Sequence, residues 1–288
     1  IDDLPLLRAV GNPVAVNPSE KLAVHARAQG WPQLRFASRG LPDLETVART
    51  VLTAQTVAAT AAFSVLGRRL GAGRLKTANR LTQLIGEVGT GFAGLDFEVE
   101  GAENLRRDRP AIFIFNHQSL LDAMVLAHLL REDLVALVKR EVADNPLLGP
   151  LLRQVDTVFV DRDESNQSRV LREALDVLDS GRSLVIAPEG TRSTLGDIQP
   201  FKHGAFYLAK KAQVPVVPIV LHNVKDAMPN GGLLIRATTI RITVLPPMYP
   251  ARMGGVRQTC ENMEKAYEKV LGHSAVAALP HALAKRSA

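Results

Sequence analysis

Asn116-His117-Gln118-Ser119-Leu120-Leu121-Asp122 sets an imidazole and a carboxylate a few positions apart. The segment follows the apolar run Ala111-Ile112-Phe113-Ile114-Phe115, which predicts a buried strand, and it leads into a helical pattern from Leu120 to Leu130. A histidine at the mouth of a strand, with an acid one helical turn further on, can act as a base whose orientation the acid fixes. Two plainer readings stand beside that one. Ser119-Leu120-Leu121-Asp122 also fits a capping box, and His117 alone could be a satisfied structural residue. A second polar cluster, Pro188-Glu189-Gly190-Thr191-Arg192-Ser193, follows the apolar run Leu184 to Ala187. Two strand ends that each release polar side chains predict one shared cleft.

The elements that must position these groups alternate from Asp96 onward. Strands are predicted at Phe97 to Glu100, Ala111 to Phe115, Leu134 to Val138, Thr157 to Val160, Leu184 to Ala187, Val216 to Leu221 and Thr239 to Leu245. Helices are predicted at Leu120 to Leu130, Pro146 to Gln154, Gln167 to Asp179, His203 to Gln213 and Gly255 to Leu271. Such alternation predicts an α/β fold, a mixed and largely parallel sheet flanked by helices. Val217 to Val220 reads as sheet core. The expected organisation is residues 1–40, a membrane-associating helical hairpin and linker at 41–95, the α/β domain at 96–273 and a loose tail at 274–288.

Bulk properties narrow the function. The apolar share is 46% and the charged share 22%, enough to bury a core. One cysteine, Cys260, precludes an internal disulfide and fits a reducing compartment. It falls in a helical pattern and reads as structural. A net charge of +6 points to an anionic partner, but aromatics at 5% argue against stacking on nucleic acid bases. No G-x-S-x-G elbow occurs, which disfavours a serine hydrolase.

Between Thr46 and Gly86 there is no acid, and the apolar stretch Val51 to Leu66 is followed by Arg68, Arg69, Arg74, Lys76 and Arg80. The stretch is shorter and more polar than a typical spanning helix. A helix pair lying on an anionic membrane is the preferred expectation, with a buried hairpin covering the domain as the alternative. Gly89-Thr90-Gly91-Phe92-Ala93-Gly94 matches a dinucleotide-binding pattern but has a helix before it and a strand after it, the reverse of what phosphate binding needs. It is expected to be a flexible linker.

Taken together, these blocks resemble the 1-acylglycerol-3-phosphate O-acyltransferase family of glycerolipid acyltransferases. The four motifs are Asn116-His117 with Asp122; Val158-Phe159-Val160-Asp161-Arg162, preceded by Lys139-Arg140-Glu141; Pro188 to Ser193; and Val217-Pro218-Ile219-Val220. They appear in family order across residues 45–270, with Ala187 where the family more often carries Phe. The resemblance implies acyl transfer from acyl-CoA or acyl carrier protein to lysophosphatidic acid, giving phosphatidic acid. It implies catalysis by His117 and Asp122 and substrate binding by Glu189, Gly190, Thr191 and Arg192. Arg162 is a further phosphate candidate, with a salt bridge to Asp161 or Asp163 as the alternative, and Lys139 is a third cation near the cleft. No metal and no cofactor beyond the acyl donor is expected. The expected location is the cytoplasmic face of the cell membrane, peripheral or monotopic. Rival readings are another acceptor, such as glycerol 3-phosphate, another lysophospholipid or a glycolipid, or a non-catalytic lipid-binding module.

A separate resemblance covers residues 1–40. Leu4-Pro5-Leu6-Leu7 and Val10-Gly11-Asn12-Pro13-Val14-Ala15-Val16-Asn17-Pro18, after Asp2 and Asp3, resemble the C-terminal end of haloacid-dehalogenase-like phosphatases of the phosphoserine phosphatase type. That family's nucleophilic aspartate has no counterpart here, so a domain remnant without phosphatase activity is expected.

Overall fold

The computed structural model describes residues 4–16, 18–34, 42–146, 148–161, 167–193 and 198–278. The chain divides into two compact units, Ile1–Leu44 and Glu45–Ala288. The first holds α1 (Leu4–Ala9), β1 (Ala15–Val16), α2 (Glu20–Ala28) and β2 (Gln33–Leu34). Its two strands pair in parallel, Ala15 with Gln33 and Val16 with Leu34, around the crossover helix α2.

The second unit opens with α3 (Leu44–Arg69) and α4 (Arg74–Leu84), a π-turn at Ile85–Gly89, and α5 (Thr90–Ala93). The α/β body follows: β3 (Leu95–Glu100), β4 (Ile112–Phe115), α6 (Asp122–Leu130), β5 (Leu134–Lys139), α7 (Leu148–Gln154), β6 (Val158–Val160), α8 (Gln167–Asp179), β7 (Ser183–Ile186), α9 (Gly204–Ala212), β8 (Val216–Leu221), α10 (Val224–Ala227), β9 (Thr238–Val244) and α11 (Val256–Ala278). The α/β fold with a mixed, largely parallel sheet is as the sequence predicts. α11 runs past the expected start of a loose tail at residue 274, and residues 279–288 lie outside the described ones.

The sheet order is β3-β9-β8-β4-β7-β5-β6. Strands β8, β4, β7, β5 and β6 run in parallel, while β9 runs against β8 and β3 follows β9. The chain moves outward from β4 to β5 and β6, returns to β7, then crosses β4 to reach β8. That reversal beside β4 opens a crevice at the carboxyl ends of the parallel strands. Residue pattern explains strand placement. β4 is buried along its whole length, as a central parallel strand must be, whereas β3 alternates apolar with charged residues at the sheet edge. Phe113 and Phe115 enter one core with Leu81, Leu121 and Val125, while Ile112 and Ile114 enter the other with Phe206 and Tyr267.

The expected flexible linker at Gly89–Gly94 is instead helical and packed. Just before it, Gly86 serves close approach: a Cβ there would meet the backbone of His128 at 2.5 Å and of Ala127 at 2.6 Å. His128 stacks on Phe97 and its Nδ1 lies 3.0 Å from the Gly86 carbonyl oxygen, so α6 and the π-turn are seated without a side chain between them.

α3 is longer than the apolar stretch suggested. Its 26 residues extend about 39 Å at the helical rise, enough to cross a bilayer by length and composition. Its polarity is reversed relative to an ordinary surface helix. Thr53, Thr60 and Ser64 face the protein, while Val51, Leu52, Phe63 and Leu66 face outward. The inward hydroxyls of Thr60 and Ser64 are satisfied by the Thr56 and Ala61 carbonyls, and Ser64 also reaches the Gln154 side chain of α7.

Gly86→Ala forces backbone apart and is expected to destabilise the protein by about 1–3 kcal/mol. Gly91→Ala, whose Cβ meets nothing within 4 Å, should be neutral or stabilise by up to about 1 kcal/mol. Denaturant unfolding of the two variants against the native chain measures the contrast.

Candidate active site

The crevice is assembled from two strand-end loops. After β4 the chain leaves the sheet at Asn116, and the Asn116 amide copies a strand residue: Nδ2 donates to the Leu221 carbonyl at 2.8 Å and Oδ1 accepts the Leu221 N–H at 2.7 Å. Gln118 Nε2 donates to the same carbonyl at 2.7 Å. Ser119 donates its hydroxyl to the Met228 carbonyl at 2.7 Å and accepts the Leu121 N–H. These buried amides and hydroxyl fix the loop on both sides of His117.

Asp122 is fully buried and its Oδ2 is the hub. It lies 2.7 Å from His117 Nδ1 and accepts the N–H groups of Gln118 at 2.7 Å and Ser119 at 3.0 Å. One oxygen thus reaches back to the Ser119 N–H, as the acid of a capping box would, and also orients the ring. α6 starts at Asp122 rather than Leu120, without a side-chain cap at its N-terminus. Oδ1 is buried without a partner among the described residues. A carboxylate satisfied on one side only gains when the neighbouring imidazole becomes cationic. The His117 ring packs edge-on against Phe115 and its side chain is 29% exposed, against 0% for Asp122. With Nδ1 committed to Asp122, Nε2 is the nitrogen left to the crevice.

The loop after β7 is tied to this one by Glu189. Its Oε1 accepts the His117 N–H at 2.9 Å and its Oε2 the Gln199 N–H at 3.0 Å. Ser193 N–H donates to the His117 carbonyl at 2.9 Å. Glu189 is buried, both of its oxygens serve backbone amides, and the residue holds the histidine loop in place. Burial raises its pKa, although the Gln199 and His117 N–H groups oppose the shift. The Gly190 N–H donates to the Ala187 carbonyl at 3.0 Å. Gly190 has a left-handed φ of +69°, and a Cβ there would meet Lys202 Nζ at 2.6 Å.

Thr191 and Arg192 are exposed on the same loop, and among the described residues neither Arg192 nor Lys202 has a carboxylate partner. Lys202 lies just before α9. Its place over Gly190 had a sequence signal, a lysine shortly before the apolar face of α9, but nothing in the pattern tells where a long side chain folds back. Lys139 ends β5, two strands from β4, and is half-buried. Asp161 pairs with Arg169 at 3.1 Å and Arg140 at 3.5 Å. Arg162 and Asp163 lie outside the described residues.

Beneath the site, Tyr267 of α11 is wholly buried and shares its hydroxyl between the carbonyls of Ile114 at 2.9 Å and Ile219 at 3.3 Å. Burial raises its pKa well above the ordinary phenol value.

Comparison with known proteins bears directly on this site: the acyltransferase family signature matches residues 96–222, so that stretch of the chain is similar to the acyltransferase family. The chain is 36% identical over 163 residues to human 1-acyl-sn-glycerol-3-phosphate acyltransferase beta, covering 54% of this chain and 56% of that one. Against the 1-acyl-sn-glycerol-3-phosphate acyltransferase of Limnanthes alba it is 32% identical over 177 residues, 61% of this chain and 62% of that one. The chain thus spans little more than half the length of the curated relatives it matches. Among solved structures, the 1-acyl-sn-glycerophosphate (LPA) acyltransferase PlsC of Thermotoga maritima superposes with a TM-score of 0.65 at 25% identity, over 81% of this chain and 94% of that one.

Glu189→Gln places an amide N–H against a backbone N–H and should destabilise the protein by about 1–3 kcal/mol. Because burial raises the Glu189 pKa, its contribution to stability is greatest below the ordinary carboxylate range and is lost as pH rises through the raised value. Unfolding measured across the acidic range should show that slope in the native protein and lack it in Glu189→Gln.

Proposed function

We propose that this chain transfers a fatty acyl group from acyl-CoA, or from acyl carrier protein, to the hydroxyl of lysophosphatidic acid, giving phosphatidic acid. His117 is the general base. Its Nδ1–H donates to Asp122, so Nε2 takes the hydroxyl proton as the oxygen attacks the thioester carbonyl. The C–O bond forms, the C–S bond breaks, and the proton passes from Nε2 to the departing thiolate. Asp122 holds the tautomer and stabilises the imidazolium. The thioester is already activated, so the enzyme need only position two substrates and move one proton; we assign no metal and no further cofactor to the reaction. The observation that carries this reading is the 2.7 Å contact between a half-exposed imidazole and a fully buried carboxylate, one loop away from Arg192.

Arg192 binds the acceptor phosphate through its guanidinium fork, with Lys202 beside it as a point charge and Thr191 on the same loop. Lys139 assists the thioester oxyanion, and Arg162 is assigned to phosphate on the resemblance alone. The outward apolar face of α3 and the basic residues Arg68, Arg69, Lys76 and Arg80 support association with an anionic membrane, which we assign to the cytoplasmic face, peripheral or monotopic. Residues 1–40 are assigned to a phosphatase-like segment on the resemblance alone.

Labelled acyl-CoA offered with a panel of lysolipids tests the reading. His117→Ala should lose about 10²–10⁴-fold in rate. Arg192→Ala and Lys202→Gln should raise KM for phosphate-bearing acceptors and leave a neutral monoacylglycerol unaffected. Full activity in His117→Ala would end the proposal.

A further inference from the structure

The segment between α10 and β9 is a strap whose two ends are fastened to functionally distinct parts. At one end the Met228 carbonyl accepts the Ser119 hydroxyl, and the Lys225 N–H donates to Gln118 Oε1 at 3.4 Å. At the other the Ile235 N–H donates to Thr50 Oγ1 of α3 at 2.9 Å. Between them Gly231, at a φ of +78°, turns the chain outward and leaves Leu233 84% exposed. A leucine so exposed at a loop tip is costly in water, and a lone one would need no explanation. This one is not alone. Two residues of chain reach at most about 7 Å, so Leu233 lies close to Ile235 and hence to Thr50. Val51, Ala54 and Ala58 project from α3 within about 100° of Thr50, on its outward flank, and Val51 and Ala58 are exposed. The loop tip thus extends the outward apolar surface of the helix.

We propose that Leu233 is a second lipid-contacting element, inserted into the same membrane surface as the outer face of α3, so that the strap sets the crevice mouth against the lipid. This rests on the membrane association proposed above. The occupant is a lipid surface rather than a protein because the adjoining helix turns hydroxyls inward and apolar groups outward and has no acid between Thr46 and Gly86. Through Met228 and Ser119 the inserted tip is one hydrogen bond from the histidine loop.

The experiment uses the full chain with vesicles of phosphatidylcholine and phosphatidylglycerol. Cys260 is buried and its thiol is pushed up to about 11, so Leu233→Cys can be labelled selectively with an environment-sensitive fluorophore. The label should shift to the blue when vesicles are added. Leu233→Ser should lower vesicle partition about three- to tenfold, and turnover of vesicle-borne lysolipid should fall more than turnover of a short-chain lysolipid dissolved as monomer. Native protein that ignores vesicles defeats the membrane reading itself. Native protein that binds them, with no spectral shift at position 233 and undiminished partition of Leu233→Ser, overturns the inference and leaves that reading standing. Equal losses on monomeric and vesicle-borne substrate also overturn it, since they mark damage to the fold.

Discussion

A single carboxylate oxygen organises this molecule's chemistry. Asp122 Oδ2 collects the His117 ring and the Gln118 and Ser119 amides, and it can do so only because β4 and α6 deliver both ends of the loop at the crevice floor. Each of those donors is charge-assisted when the acid is ionised, which makes the set stronger than neutral hydrogen bonds of the same length. The geometry also fixes direction. Nδ1 is taken, so the ring offers Nε2 to the crevice, and the Phe115 edge limits rotation. Burying the acid while leaving the ring half-exposed divides the work. In the proposed reaction the acid acts through a low-dielectric medium, and the imidazole remains within reach of a substrate.

Glu189 plays the matching part for the loop after β7. A buried glutamate that joins two backbone amides from different loops makes the two strand ends behave as one piece. The loop retains cationic surface because its only described acid is turned inward, leaving Arg192 and Lys202 facing outward without counter-charges. Gly190 fits the same arrangement: its missing Cβ gives the Lys202 ammonium room to lie across the turn. The positive charge is set by how the acid is used, and not by an excess of basic residues at this place.

The fold was largely legible because burial patterns differ between strands. Ala111 to Phe115 reads as a central strand since both faces are apolar, and Leu95 to Glu100 as an edge since every second residue is charged. What escaped were features that depend on direction rather than type. Nothing in the neighbours of Glu189 says that both its oxygens meet amides brought from 72 and 10 residues away. Gly86 and Gly89 look like breakers in a linker, yet they are small so that α6 can approach. Val51 to Leu66 looked too polar to span a bilayer because threonines were counted without regard to face. In the helix Thr53 and Thr60 turn inward, and the Thr60 hydroxyl is satisfied by the Thr56 carbonyl of the same helix. His117 and Asp122 were found from sequence since their spacing alone brings them together.

The catalytic sheet is not complete within the residues that the family signature covers. α11 lies beyond residue 222, yet it supplies the hydroxyl that bridges Ile114 and Ile219, the strand residues just before the histidine loop and opposite it. It also supplies Glu264, which accepts the Phe201 N–H at 2.6 Å beside Lys202. A phenol buried between two carbonyls cannot be replaced by a ring alone without leaving its acceptors short of a donor. α11 therefore sets the spacing of β4 and β8 from below, while Asn116 and Gln118 set it at the crevice through Leu221. Two independent ties on the same pair of strands hold the His117 backbone against the pull of a bound substrate. That explains how a site built from loops can be precise: the loops are short, their polar atoms are spent on one another, and the strands beneath them are fixed at both levels.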